Sequence, residues 1–380
     1  MAHRPRPGLP PRRSTSRRGA SRHLRTLVLA SFVALAAACS RSPAPPKPEE
    51  VRARIVRLLP ARVSDRAGWA SDIQVAFATL KIEPSTQNLC ATLAIAEQES
   101  GYVVDPPVPR LGDIALAELD RRAGEHGIPA FLVHAALRFT SPDGRSYADR
   151  LAGARTEQDL SLIYEDFIGS VPLGRRLLAG GNPVHTGGPM QVDVAFAEQF
   201  ARRQGYPYPV GGSIRHEVFA RRGGLYFGIA HLLDYPVAYP QMLYRFADYN
   251  AGFYASRNAA FQQALQVASG IRIPLDGDLV RYDGGPAETE AALRGIAWQL
   301  QLEPAQIARA LQDGERPGFE QSPLYQRVFA LAEQHAHRRL PRAILPRITL
   351  ESPKITRHLT TAWFAQRVDQ RYRRCLARAR

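Results

Sequence analysis

Ala94-Ile-Ala-Glu-Gln-Glu-Ser-Gly-Tyr102 closes an apolar stretch that begins after Pro84, and its reading decides the fold. Ser85 or Thr86 suits an N-cap, Leu89, Leu93, Ala94 and Ile95 supply an apolar face, and Gly101 suits a left-handed end. The spacing therefore predicts a helix that delivers Glu99 in its last turn. Apolar neighbours and the negative end of the helix both disfavour an ionised carboxylate there. Glu97 lies two residues earlier, about 200° around the helix, so the two acids cannot face one cleft. Cleavage of a bond between two sugars needs a carboxyl that stays protonated near neutral pH, because the leaving oxygen must receive a proton.

Two later stretches supply a setting for that acid. Thr186-Gly-Gly-Pro-Met-Gln-Val192 reads as a turn opening a helix. Its glycines allow close backbone approach, Pro189 suits a first helical turn, and Met190 and Gln191 are candidates to line a sugar subsite. Ala247-Asp-Tyr-Asn-Ala-Gly252 offers the ring and hydroxyl of Tyr249 beside the acid. Asn250 offers donors and acceptors to an N-acetyl sugar or to the helix bearing Glu99. Asp248 is expected to face solvent.

In this order, Glu99-Ser100, Gly188-Pro-Met-Gln191 and Tyr249-Asn250 resemble the signature of the lytic transglycosylases of the lysozyme superfamily. Gly228-Ile-Ala-His-Leu-Leu233 resembles the helix leading to the third word. The resemblance covers roughly residues 85–265. The family's word has leucine where Pro189 stands, and alanine is common where Asp248 stands. The resemblance implies a mainly α, lysozyme-like catalytic domain with extra helices. It also implies Glu99 as the single acid and base, Ser100, Met190, Gln191, Tyr249 and Asn250 around the substrate, and peptidoglycan glycan strands as that substrate. The implied reaction is non-hydrolytic cleavage between N-acetylmuramic acid and N-acetylglucosamine, leaving a 1,6-anhydro end, with no metal and no organic cofactor. The span from Glu99 to Gln191 is long for this family, so residues of about 103–184 read as an insertion. It would serve as a cleft wall, a lid, or a surface for an envelope protein partner.

The N-terminal 38 residues read as an address. Eight arginines and no acid precede an apolar run ending in Leu35-Ala-Ala-Ala-Cys39, the pattern of a secretory signal peptide too short to span a bilayer. Cys39 after small residues resembles a lipobox, whose cysteine becomes the lipidated first residue. The alternative is ordinary cleavage beside an incidental cysteine. By the same resemblance, Ser40 after that cysteine favours the periplasmic side of an outer membrane. Of the net charge of +15, the eight arginines leave +7 on residues 39–380. An exported protein meets no chromosome, which sets nucleic acid aside as a partner, and the membrane is met through the lipid. With Cys39 acylated, two of the three cysteines remain, Cys90 and Cys375. In a disulfide-permissive compartment they form a bond, or else two buried thiols.

Residues 39–50, with four prolines between Ser42 and Pro48, read as an extended tether. The lysozyme-like part is placed at 51–270, and a C-terminal helical region at 271–380 is expected to pack on it. Helices are predicted twice within 51–80, then over 114–122, 129–139, 156–167, 194–203, 225–233, 254–268, 289–302, 304–312, 323–337 and 360–379. Residues 271–275 and 278–282 flank Gly277 and predict a small hairpin. No P-loop and no Gly-x-Ser-x-Gly elbow is present, and His335-Ala-His337 falls on opposite helix sides, without zinc spacing. Two other classes of function share these features: a catalytically silent peptidoglycan binder, and an envelope scaffold that grips a partner through the insertion.

Overall fold

The helix carrying Glu99 is built as its residues dictate. In the computed structural model, which describes residues 46–170, 176, 179–280, 287–350 and 357–379, it runs Thr86–Glu99. We label it α3, after α1 (Pro48–Leu58) and α2 (Arg66–Thr79). The Ser85 hydroxyl accepts from the Asn88 amide at 3.2 Å. Every residue from Leu89 to Ala96 is buried. Gly101 (φ +60°) and Tyr102 (φ +69°) turn the chain out of the helix. The Tyr102 hydroxyl donates back to the Leu93 carbonyl at 3.0 Å and its ring meets Trp69 edge-on. The alanines of α3 let neighbouring helices approach closely, which explains a helix buried nearly all round.

Those neighbours come from both ends of the chain. The first core gathers α1, α2 and α3 with α8 (Val194–Gln204), α9 (Ile214–Phe219), α10 (Arg221–Leu233), α11 (Met242–Ala251) and the C-terminal α17 (Thr361–Arg378). Helix α17 lies against both α3 and α11, and Cys375 on α17 is disulfide-bonded to Cys90 on α3. A second core holds α12 (Ala255–Ser269), α13 (Glu288–Gly295), α14 (Ala297–Leu300), α15 (Pro304–Leu311) and α16 (Pro323–Ala336). The change from one core to the other thus falls at the start of α12, ahead of residue 270, and α17 returns to the first core. Pro48–Arg380 cluster as one compact unit. Among the described residues no helix is long and apolar enough to cross a membrane.

The inserted stretch carries α4 (Leu111–Glu125), α5 (Ala130–Leu137), α6 (Tyr147–Gly153) and α7 (Glu157–Ser170). Leu111, Leu151, Ala154, Leu160 and Val184 form a small core of their own that closes on Phe219 of α9. Arg215 donates to the Val184 carbonyl at 2.7 Å, and the His216 ring meets Glu165 at 2.8 Å. No residue of α5 is buried, and Phe131 and Phe139 are 68% and 67% exposed.

Several expectations are corrected. Pro48, Glu49 and Glu50 belong to α1 rather than to a tether: proline fits the first turn of a helix, and two acids suit its positive end. The signal segment, Cys39 and the tether up to residue 45 lie outside the described residues. No strand forms over 271–280, because side chains hold that backbone in place of a partner strand. Gln262 accepts from the Gly277 amide at 2.8 Å and donates to Asp276 and to the Asp278 carbonyl. The strands lie elsewhere, with β1 (Thr186–Gly187) paired to β2 (Val192–Asp193) and β3 (Thr349–Leu350) paired to β4 (Leu359–Thr360), both antiparallel. Helices α6, α9 and α11 are not predicted by the sequence pattern.

Candidate functional site

Three segments distant in sequence meet at the end of α3. Gly188-Pro-Met-Gln191 is the loop of the β1–β2 hairpin, with the Gln191 amide donating to the Gly188 carbonyl at 3.1 Å. It does not open a helix. Helix α8 starts only at Val194, where Asp193 caps the Phe196 amide at 2.7 Å. Gly188 sits at φ +72°, and a Cβ there would lie 2.1 Å from the Val218 carbonyl oxygen, so only glycine fits. The Ser100 hydroxyl lies 2.9 Å from the Pro189 carbonyl oxygen and 3.0 Å from that of Ala96. The Tyr249 hydroxyl donates to the Met190 carbonyl at 2.7 Å. The loop is thereby tied to α3 on one side and to α11 on the other.

Glu99 stands at this junction. Among the described residues its carboxyl makes no hydrogen bond and no ion pair, and the residue is half-buried. Burial pushes its pKa up to about 8, the Glu157 charge pushes the same way, and Arg371 opposes. The Tyr249 hydroxyl is held well above the ordinary tyrosine range, by burial first and then by the Glu99 charge. Glu97 faces the other side of α3, where its Oε1 receives Arg62 at 2.7 Å.

The remaining candidates are placed differently from one another. Met190 is completely buried and packs on Gly228 of α10, where a Cβ would lie 2.7 Å from its sulfur. Its side chain therefore does not line a groove. Its contact with the site is through its carbonyl, which accepts from Tyr249. Gln191 is partly exposed and tied within its own hairpin, accepting from the Thr186 hydroxyl at 3.1 Å. Asn250 is exposed at the end of α11 and accepts from the Thr361 hydroxyl at 2.8 Å, which joins it to α17 rather than to α3. Asp248 is buried, contrary to the solvent-facing expectation. Hydroxyls of Tyr235 (3.1 Å) and Tyr239 (2.7 Å) and the Ser256 amide (2.7 Å) satisfy it, and burial outweighs them in raising its pKa. The third word is thus the last turn of a helix, and its acid is a structural anchor between the two cores.

Two residues in the electrostatic range of the acid, Glu157 and Arg371, had no signal in the sequence for that place. Glu157 opens α7, beside the strand-like contact of Pro107 with Thr156, so the insertion brings a second acid into the electrostatic range of Glu99. Arg371 comes from the far end of the chain. His231 of α10 lies against Tyr249, Phe196 and Phe253 with ring centroids 5.0, 4.8 and 4.6 Å away. Burial drives its pKa down to about 4, and its Nδ1 has no partner. Among the described residues no three His, Cys, Asp or Glu side chains gather to hold a metal ion. A separate groove of about 470 Å³ opens over Glu198, Arg202, Tyr206 and Val210 and includes none of these residues.

The fold and site define a mainly helical protein in which a half-buried carboxyl, without a hydrogen-bond or ion-pair partner among the described residues, stands at the meeting of three segments. The chain belongs to the family described as protein of unknown function (DUF1615), which matches residues 62–378. It is also similar to the uncharacterised protein YaiW of Escherichia coli K12, 51% identical over 358 residues, a match covering 93% of this chain and 98% of the relative. No solved structure matches it.

Proposed function

We propose that the protein is a peptidoglycan lytic transglycosylase with Glu99 as its single acid and base. The observation that carries this reading is the Glu99 carboxyl, half-buried and, among the described residues, without a hydrogen-bond or ion-pair partner, where Ser100 and Tyr249 fasten the Gly188–Gln191 loop to two helices. A carboxyl with a pKa of about 8 is protonated at neutral pH and can release its proton to a glycosidic oxygen. In the proposed reaction Glu99 protonates the oxygen linking N-acetylmuramic acid to N-acetylglucosamine, and the C1–O bond breaks with its electron pair leaving on that oxygen. The resulting carboxylate then removes the proton of the muramoyl O6, which bonds to C1 and closes the 1,6-anhydro ring. No water is consumed, and Glu99 ends protonated. The acetamido group of the substrate stabilises the electron-poor C1 between the two steps.

The setting proposed for this activity is the periplasmic side of an outer membrane, with the chain anchored by lipid on Cys39. Intact-mass measurement of the membrane-bound protein tests the anchor, and an unmodified Cys39 would overturn it. Digestion of purified sacculi followed by mass spectrometry tests the activity. The expected products are 1,6-anhydromuropeptides, and products with reducing muramic ends would point to hydrolysis instead.

One observation favours a second reading, an envelope scaffold that holds a protein partner. Helix α5 of the insertion is apolar and buries none of its residues. A scaffold would leave sacculi uncut and would lose its partner on Phe131→Ser with Phe139→Ser, whereas the enzyme would keep releasing anhydro products.

A further inference from the structure

The groove on α8 has no part in the Glu99 site and is built as a site of its own. Its volume of about 470 Å³ falls in the range of small-molecule sites. Glu198, Ala201 and Arg202 of α8 form one wall, and Tyr206, Val210 and Ile214 form the other. Phe196, whose ring meets that of His231 at 4.8 Å, lies about 200° around α8 from Glu198. The groove therefore opens on the side of α8 away from His231.

The second wall is fixed in advance. It belongs to Gly205-Tyr-Pro-Tyr-Pro-Val-Gly-Gly-Ser213, in which Pro207 and Pro209 restrict the backbone. The buried carboxylate of Glu217 on α9 gathers this loop, accepting from the Tyr206 hydroxyl at 2.7 Å, the Gly211 amide at 3.3 Å and the Arg222 guanidinium at 3.0 Å. Arg222 also donates to the Pro209 carbonyl at 3.2 Å and lies 4.9 Å over the Tyr208 ring. The Tyr206 ring itself stacks on Phe227, with centroids 5.1 Å apart and planes 15° from parallel. A ligand meeting so rigid a wall has little protein to order.

The α8 wall carries two charges of opposite sign that the protein does not use. Glu198 is half-buried and Arg202 is exposed, four residues apart with the acid first, the order in which such pairs attract on a helix. Among the described residues neither makes an ion pair or a hydrogen bond. A half-buried carboxylate without a partner is unfavourable. A ligand that brings an ammonium to Glu198 and a carboxylate to Arg202 satisfies both charges, whereas an ion of one sign satisfies only one. We propose that this groove binds short peptides with free ends, the ammonium on Glu198, the carboxylate on Arg202 and apolar side chains against Tyr206, Val210 and Ile214. Two or three extended residues span up to about 7–11 Å, enough to bridge side chains whose Cβ atoms lie about 5–6 Å apart. Such a site stands whether or not Glu99 cleaves glycan.

The test titrates the full mature protein with the tripeptide Ala-Leu-Ala in three forms: free at both ends, N-acetylated, and C-amidated. The free form should bind with a Kd on the order of 0.1 mM, and each capped form about tenfold more weakly. Glu198→Gln should erase the penalty of acetylation and keep that of amidation, and Arg202→Gln should do the reverse. Added salt should weaken the free form most. Neither side chain is bonded to the rest of the protein, so both variants should melt with wild type, which separates lost binding from lost folding. Glu99→Gln should bind the free tripeptide as wild type does, so the outcome is read apart from any glycan cleavage. Equal binding of free and capped forms, penalties unchanged in the two variants, or no binding of the free form at millimolar concentration would overturn the site. Binding of an uncharged N-acetylglucosamine tetramer that is lost in Tyr206→Ala and indifferent to both charge changes would make the groove a sugar subsite and the proposal wrong.

Discussion

The Tyr249 hydroxyl donates to the Met190 carbonyl oxygen at 2.7 Å, across 59 positions of sequence. With the contact between Ser100 and Pro189 at 2.9 Å, it makes the hairpin loop a bridge between the helix that ends in Glu99 and the helix that carries Tyr249. Tyr249→Phe leaves a carbonyl in a desolvated place without its donor, a loss of about 1–3 kcal/mol in unfolding free energy. Ser100→Ala leaves the Pro189 carbonyl in the same condition, with a loss of about 1 kcal/mol. Urea unfolding of the two single variants and the double variant checks both. The double variant should lose less than the sum, since both bonds hold one loop. Strict additivity would show that the loop keeps its place without them.

The enclosed acid makes stability depend on pH in a defined window. Glu99 titrates near 8 in the folded protein and near 4.5 when free. Between those values the folded state holds a proton that the unfolded chain has released, so stability from this group falls as pH rises through 8 and levels off beyond it. His231 acts in the opposite sense, because burial lowers it from 6.5 to about 4. The unfolded chain takes up a proton below 6.5 that the buried ring refuses, so its contribution is present above 6.5 and is lost as pH falls toward 4. From about pH 5 to 6.5 the two trends offset, and above 6.5 only Glu99 remains of the pair. The wild-type protein should therefore lose on the order of 1–2 kcal/mol between pH 6.5 and 8 relative to Glu99→Gln. Chemical unfolding at several pH values reads the difference. Parallel curves would mean that Glu99 is already ionised in the folded protein.

Local chemistry made most helices legible. The cap at Ser85, the apolar spacing after it and the glycine at 101 define α3 without reference to anything distant. What the sequence hid was decided by contacts between remote residues. The 271–280 segment alternates like a strand, yet Gln262 on α12 satisfies its backbone. Asp248 looked like a surface acid because three of its donors, on Tyr235, Tyr239 and Ser256, are assembled only by folding. Met190 reads as a groove residue in the sequence because the gap at Gly228 that receives it lies 38 positions away. Glu157 and Arg371 reach the acid from the insertion and from the last helix, and no spacing rule joins either of them to Glu99.

Cys90 and Cys375 are joined across 285 positions, so the bond closes nearly the whole body. Chain entropy alone gives such a loop roughly 5 kcal/mol, and removal of native disulfides more often costs about 2–5 kcal/mol. Cys375→Ser combined with Cys90→Ser should lower stability by an amount in that range. It should also loosen α17 from α3, visible as faster amide exchange in 361–378. Peptide mapping without reduction should recover the linked peptides. Complete alkylation of both cysteines in the unreduced protein would rule the bond out.

Glu99→Gln is the substitution on which the proposed activity depends. The amide keeps the size and the enclosure of the side chain but can neither give up nor accept the proton the reaction needs, a role typically worth about 10²- to 10⁴-fold in rate. Release of 1,6-anhydromuropeptides should fall by at least that factor while the melting temperature near pH 7 changes little. Wild-type activity should decline above about pH 8, where Glu99 loses the proton it must deliver. Glu97→Gln is the internal control: it breaks the contact with Arg62 on the opposite face of α3 and should leave the rate within a few-fold of wild type, a surface ion pair being worth about 0–1 kcal/mol. Equal release by wild type and Glu99→Gln would remove Glu99 from the chemistry. Release by neither would leave a protein that holds glycan without cutting it, provided glycan strands still bind.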